Sequence, residues 1–253
     1  MLSLLNRLET DCDWALLHQA TLYRLDARGR ISAGSSGPQA PDFHLVRTRH
    51  GNLWRLHRRL SSSSCRILAR LAAREAPLAA GSLTSCPPPE RMESMLNVFR
   101  ADDVEVSLER GPLYRFPEEG LARTSHDSDG FTLTVGSPGS VESVEGLRAL
   151  FEPHVVAFDS RWPVVVARVD GQIASACFGE PSACETGVEA RVETRPGYRL
   201  RGLARACTMA WARAVWEAGA LPLARTRWED RSGRALAQSL GLEIYGDSIL
   251  FGL

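Results

Sequence analysis

Val192-Glu193-Thr194-Arg195-Pro196-Gly197-Tyr198-Arg199-Leu200-Arg201-Gly202-Leu203-Ala204 reads as the end of a strand, a turn and the opening of a helix. Val188 to Thr194 is a short β-type run, and Pro196-Gly197 breaks it. From Gly202 onward, Leu203, Ala206, Cys207, Ala210, Trp211, Ala214 and Val215 recur at the spacing of one helix face, and Gly219 sits where a left-handed cap is expected. A helix N-terminus therefore emerges from a loop that carries two arginines and a glycine. Free N–H groups and the positive end of the helix dipole favour an anion there. Gly202 allows a phosphate to approach the backbone, and Arg199 and Arg201 add charge-assisted donors.

The six residues Arg199 to Ala204 resemble the pyrophosphate loop Q/R-x-x-G-x-G/A of the GCN5-related N-acetyltransferase (GNAT) superfamily. The likeness extends to Glu189-Ala190-Arg191-Val192-Glu193-Thr194, Trp211-Ala212, Thr226-Arg227-Trp228 and Leu240-Gly241-Leu242, roughly the last half of the chain. It is similar to a bacterial subfamily whose usual run is E-A-G-V-E-T-x-x-x-Y-R-G-R-G. Arg191 and Leu200 stand where that run has glycine.

The resemblance implies an α/β (α+β) GNAT fold over residues 130–253, with a mixed, mostly antiparallel central sheet and flanking helices. It implies acetyl-CoA as co-substrate, no metal, and transfer of the acetyl group to a primary amine of a small or amino-acid-like molecule by direct attack. Arg199, Leu200, Arg201, Gly202, Leu203 and Ala204 would cradle the pyrophosphate. The backbone of Val192 and Thr194 would hold the acetyl and pantetheine groups, with Trp228 and Ser232 on the CoA side. The slot in which many GNATs carry an acidic tyrosine is Ala237 here, which leaves Tyr245, water, or unassisted loss of the thiolate.

The residues themselves suggest where a base would come from. Glu185, Glu189 and Glu193 fall on one face of the central strand, with Arg191 interleaved. On an internal strand such a face must open on a cleft, because buried unpaired carboxylates are too costly. Glu193 is the first choice for proton removal and Glu189 the second, with electrostatic binding of the amine an equal alternative. Solvated charge on an exposed edge is the plainer reading of the same residues.

Composition narrows the field. The 253 residues carry 30 basic and 30 acidic side chains and a formal net charge of zero, without the basic excess of a dedicated nucleic-acid surface. Every basic residue is arginine. No apolar run approaches a membrane span, and acidic residues follow the first apolar stretch too soon for a secretory signal, so a cytoplasmic protein is expected. The six cysteines show no C-x-x-C pair, and reduced buried thiols are expected. A homodimer is left open.

Residues 1–125 read as an α/β domain of unassigned role, whose alternation of helices and hairpins leaves a decayed second GNAT-like copy open. Residues 2–25 read as a helix, 27–42 as loop, and Phe43–Thr48 with Leu53–Leu56 as a hairpin. Ser61–Ser64 would cap a helix running through Arg74. A second hairpin is expected to turn at Arg110-Gly111. After a polar boundary over Pro117–Gly130, the order is a strand, a helix over Val141–Phe151, a hairpin turned at Asp170-Gly171, and the central strand Cys184–Thr194. The helix from Gly202, strand Leu221–Arg227, helix Ser232–Leu240 and two short strands, Glu243–Tyr245 and Ile249–Phe251, complete it. Two other functions stay in view: an acyl-CoA sensor or scaffold without turnover, and a transferase of longer acyl chains.

Overall fold

The computed structural model describes residues 8–79, 86–101, 106–122, 130–136 and 159–252. The helix expected over Val141–Phe151 and residues 123–129 of the expected boundary lie outside them. The chain forms two compact units: residues 2–114 with 225–231 and 244–253, and residues 115–224 with 232–243.

In the first unit, α1 spans Asp11–Leu22. It starts on a reciprocal cap, in which Thr10 Oγ1 accepts the Asp13 N–H and the Asp13 carboxylate accepts the Thr10 N–H at 2.8 Å. The expected helix over residues 2–25 is thus shorter at its end, because Tyr23–Leu25 (β1) pairs with Ile31–Gly34 (β2), inside what reads as loop. β3 (Phe43–Thr48) and β4 (Gly51–Leu56) form the expected hairpin, with Thr48 opposite Gly51. α2 (Ser62–Arg74) and α3 (Met92–Ala101) follow.

β5 (Leu108–Arg115) is one continuous strand, and no hairpin turns at Arg110-Gly111. A Cβ at Gly111 would lie 1.7 Å from the Thr226 carbonyl oxygen, so this glycine serves a close approach of backbones. β11 (Glu243–Phe251) is likewise one strand, antiparallel to β3, where two were expected. Gly246 lies within it, its missing side chain facing Val46 and the Arg47 carbonyl. Within this unit the strand order is β4-β3-β11-β5. Phe43, Leu45, Leu68, Ala72, Met95, Phe99, Ile249 and Phe251 make its core. Each large apolar side chain buried there contributes about 1.5–3 kcal/mol.

In the second unit, the short helix α4 (Glu118–Ala122) leads to β6 (Thr132–Gly136), β7 (Val164–Val169), β8 (Gln172–Gly179) and β9 (Gly187–Thr194). α5 (Leu203–Glu217), β10 (Leu221–Arg225) and α6 (Arg231–Ser239) complete it. The order β6-β7-β8-β9-β10 is antiparallel throughout except for the parallel β9–β10 pair, which is the mixed sheet expected. Asp170 and Gly171 take φ of 50° and 77° in the β7–β8 turn, as an Asp-Gly hairpin requires. Leu203, Cys207, Trp211 and Val215 of α5 pack on Val165, Ala167, Cys177 and Val188. Side chains alternate along a strand, so Glu189, Arg191 and Glu193 stand on the face of β9 away from α5. β9 begins at Gly187, and Glu185 is an exposed residue before it rather than a third acid on the strand.

Candidate functional site

The end of β9 is paired on one edge and open on the other. The Arg195 N–H donates to the Ala174 carbonyl at 3.0 Å, and the Glu180 N–H donates to the Glu189 carbonyl at 2.9 Å. The odd-numbered residues of β9 therefore direct their backbone groups toward β8, and the even-numbered ones toward β10. The ladder to β10 covers only Gly187, Val188 and Glu189, opposite Leu221, Pro222 and Leu223. The ladder to β8 continues to Thr194 opposite Ser175. The Val192 and Thr194 amides thus face an edge that β10 has ceased to pair.

Next to that edge the chain turns through a 3-10 segment, Pro196–Tyr198, and enters α5. Gly202 caps the helix at φ 77° and offers no side-chain acceptor. The first helical bond here runs from the Ala206 N–H to the Gly202 carbonyl at 3.0 Å, so the amides of Leu203, Ala204 and Arg205 have no partner within the helix. A Cβ at Gly202 would meet nothing within 4 Å, and the first turn holds no acidic residue. Arg199 and Arg201 are exposed. The Arg201 guanidinium lies 5.6 Å from the Tyr198 ring centroid, and Arg199 Nε donates to the Thr194 carbonyl at 3.4 Å. Leu200, fully exposed, sits at φ 60°. The left-handed backbone costs a non-glycine residue on the order of 1–2 kcal/mol.

The acids of β9 occur in two settings. Glu189 is buried, at 5% exposure. Glu193 is about one-third exposed and bound to Arg191, whose Nε and Nη2 both lie 3.3 Å from Glu193 Oε1. Arg191 Nη1 reaches Glu180 Oε1 at 3.2 Å. The sequence reading found Arg191 on the strand but not Glu180, because the pair forms only when β8 and β9 are set in register.

Of the other expected residues, Ser232 is exposed on the first turn of α6. Arg205 Nε donates to the Ser239 carbonyl at 3.1 Å at the far end of that helix, seven residues or about 10 Å from Ser232. Ala237 is buried in the same unit. Trp228 and Tyr245 belong to the other unit. The Trp228 indole N–H donates to Asp247 Oδ1 at 2.8 Å, and the Arg110 guanidinium lies 5.7 Å from its ring centroid. Tyr245 has no exposed surface; its hydroxyl hydrogen-bonds His18 Nδ1, and its ring lies beside Trp14.

Burial works against Cys177 and Cys207 as nucleophiles. Burial pushes the Cys177 thiol well above its ordinary range and Cys207 up to about 11. Among the described residues, no group of three or more His, Cys, Asp or Glu side chains stands ready for a metal, and no helix is long and apolar enough to cross a membrane.

Residues 158–247 match a family model described as GNAT acetyltransferase. No curated protein matches the chain. A GCN5-related N-acetyltransferase from Kribbella flavida is similar at 21% identity, over 64% of this chain and 63% of that one, with a TM-score of 0.48. This chain therefore spans less than two thirds of that structure. A GCN5-related N-acetyltransferase-like protein from Streptococcus suis is 16% identical over 85% of each chain, with a TM-score of 0.48. A tandem GNAT protein from the clavulanic acid biosynthesis pathway is 15% identical over 78% of this chain and 72% of that one, with a TM-score of 0.49.

Proposed function

Because residues 158–247 match the GNAT acetyltransferase family, we propose that the second unit transfers an acetyl group from acetyl-CoA to the primary amine of a small molecule by direct attack. The observation that carries the reading is the corner between β9 and α5, where an uncapped helix start and an unpaired strand edge adjoin. The space at Gly202 is open, and the amides and guanidinium groups beside it are the donors a phosphate would need. Acetyl-CoA would bring an activated thioester. The amides of Leu203, Ala204 and Arg205, with Arg199 and Arg201, would hold its pyrophosphate.

The Val192 and Thr194 amides would donate to the thioester oxygen as negative charge develops there; one such donor is worth about 3 kcal/mol. Glu193 would take the amine proton, its solvent-reachable carboxylate suiting the task better than buried Glu189. We leave Tyr245 out of the proton path, since its hydroxyl is enclosed and bonded to His18. Water at the corner would protonate the departing thiolate.

A second reading, acyl-CoA binding without turnover, is favoured by Ala237 in the family's tyrosine slot. Calorimetric titration with acetyl-CoA, followed by thiol release with a panel of amines, separates the two. Transfer requires binding and amine-dependent thiol release. Binding without release supports the second reading, and absence of binding removes both.

A further inference from the structure

The geometry points to Arg191 as the residue that selects the acceptor, and to an acceptor that carries a carboxylate beside its amine, as an α-amino acid does. This rests on the acetyl-transfer reading above and names the substrate class of the same site.

A guanidinium has five N–H donors in a rigid fork. Arg191 uses Nε–H and one Nη2–H on Glu193 Oε1, and one Nη1–H on Glu180 Oε1. One N–H on each terminal nitrogen is left without a partner among the described residues, and the side chain is 36% exposed. One remaining donor on each terminal nitrogen of a planar, permanently charged group suits a carboxylate. Glu193 is similarly half used: only Oε1 accepts from Arg191, and Oε2 has no hydrogen-bond partner among the described residues. Unused guanidinium donors and a carboxylate oxygen without a partner among the described residues thus lie side by side, two residues apart on the same face of β9. An α-amino acid carries its ammonium and carboxylate on one carbon, with charges opposite to this pair.

Placement ties the pair to the reaction. Glu193 lies between Val192 and Thr194, the residues whose amides face the unpaired edge of β9. Phe178 and Ala176 lie directly across from Arg191 and Glu193 on β8, both fully buried, so apolar surface borders the charges on that side. A bare amine finds Glu193 but leaves the Arg191 donors idle. A carboxylate on the acceptor occupies them and holds the amine against Glu193. The ammonium gives one proton to water. The amine nitrogen then bonds to the acetyl carbon as the carbon–sulfur bond breaks, and the second proton passes to Glu193. The sulfur leaves with the electron pair and the product is an N-acetyl amino acid; nothing is oxidised or reduced.

The test compares L-α-amino acids with the amines that share their side chains but lack the carboxylate, such as leucine with isopentylamine. Thiol release is followed in the wild-type full chain and in Arg191→Gln and Arg191→Lys. The expected result is a kcat/KM preference for the amino acid that falls about 10- to 100-fold in Arg191→Gln, the scale of lost charge-assisted hydrogen bonds. Arg191→Lys, which keeps the charge without the fork, should recover part of it. The loss should lie in KM for the amino acid, a split that general destabilisation does not produce.

Equal use of both acceptor types by wild type, or a preference that survives in Arg191→Gln, overturns the inference. If acetyl-CoA binds and no amine is turned over, the transfer reading has failed. Titration of leucine and isopentylamine into the acetyl-CoA complex then decides this point alone. Leucine-selective binding that Arg191→Gln abolishes supports it, and its absence in wild type overturns it.

Discussion

At the start of α2, Ser61 Oγ accepts the Ser64 N–H at 3.0 Å and so occupies one of the amides a helix leaves unpaired. At the start of α5, Gly202 has no side chain to offer, and the first-turn amides stay open beside two exposed arginines. The same backbone feature is closed in one unit and available in the other.

The arginine–carboxylate clusters repeat the contrast. In the first unit, Asp247 has no exposed surface and accepts from Arg47 Nη2 at 2.9 Å, Arg110 Nη2 at 2.8 Å and the Trp228 indole N–H at 2.8 Å. Arg47 also reaches Glu75 at 3.5 Å and the Pro87 carbonyl at 2.5 Å. Even Cys86, touching both arginines, has its thiol pushed up to about 11, burial outweighing the positive charge. In the second unit, Arg191, Glu180 and Glu193 are each about one-third exposed, and two Arg191 N–H groups and Glu193 Oε2 have no partner among the described residues. One cluster is closed on itself, and the other keeps hydrogen-bonding capacity that the proposed acceptor would use.

The strongest way to break this comparison is Asp247→Ala. It leaves two enclosed guanidinium groups without their shared partner, and the expected loss is about 3–5 kcal/mol in denaturant unfolding. Arg191→Gln, by contrast, should lose well under 1 kcal/mol, as an exposed ion pair does. Equal losses would erase the distinction between the clusters.

Gly202→Glu adds bulk and negative charge to the open helix start. Acetyl-CoA affinity should fall at least about 100-fold, or 2.7 kcal/mol, by calorimetry. Ser61→Ala at the closed start should lower stability by about 1 kcal/mol and leave acetyl-CoA affinity as it was. An affinity change in Ser61→Ala, or none in Gly202→Glu, would show that the two starts have been assigned the wrong roles.

The smallest effect concerns His57 in the first unit. Burial first, then the charges of Arg59 and Arg58, hold its pKa below 6.5, against the pull of Asp42. The unfolded chain therefore binds more protons than the folded one between the folded pKa and 6.5. His57 lowers stability progressively as pH falls through that window. His57→Gln should flatten the stability curve below about pH 6.5, measured by chemical unfolding at each pH. A wild-type curve already flat there would exclude the effect.

Much of the candidate site was legible because it is local. The Pro-Gly break, the arginines and the glycine before an apolar stripe are neighbours in the chain, and so is the capping serine of α2. The Asp-Gly turn is equally local. Gly111 reads as a turn, and Gly246 lies in the gap between two expected short strands, because a glycine beside a strand has two meanings. Here both serve close approach to distant backbone, Thr226 in one case and Arg47 in the other, and no local pattern carries that information.

Chain order alone determined the helix start near residue 202, the period-2 placing of Glu189 and Glu193, and the arginine between them. Only the tertiary structure decided that Glu180 would share Arg191, that Tyr245 would be enclosed with His18, and that the β9–β10 ladder would end at Glu189. Periodicity and turn chemistry act over a few residues and are written in order. Pairing and burial depend on which distant segments meet, and the register that brings them together exists only in the folded chain.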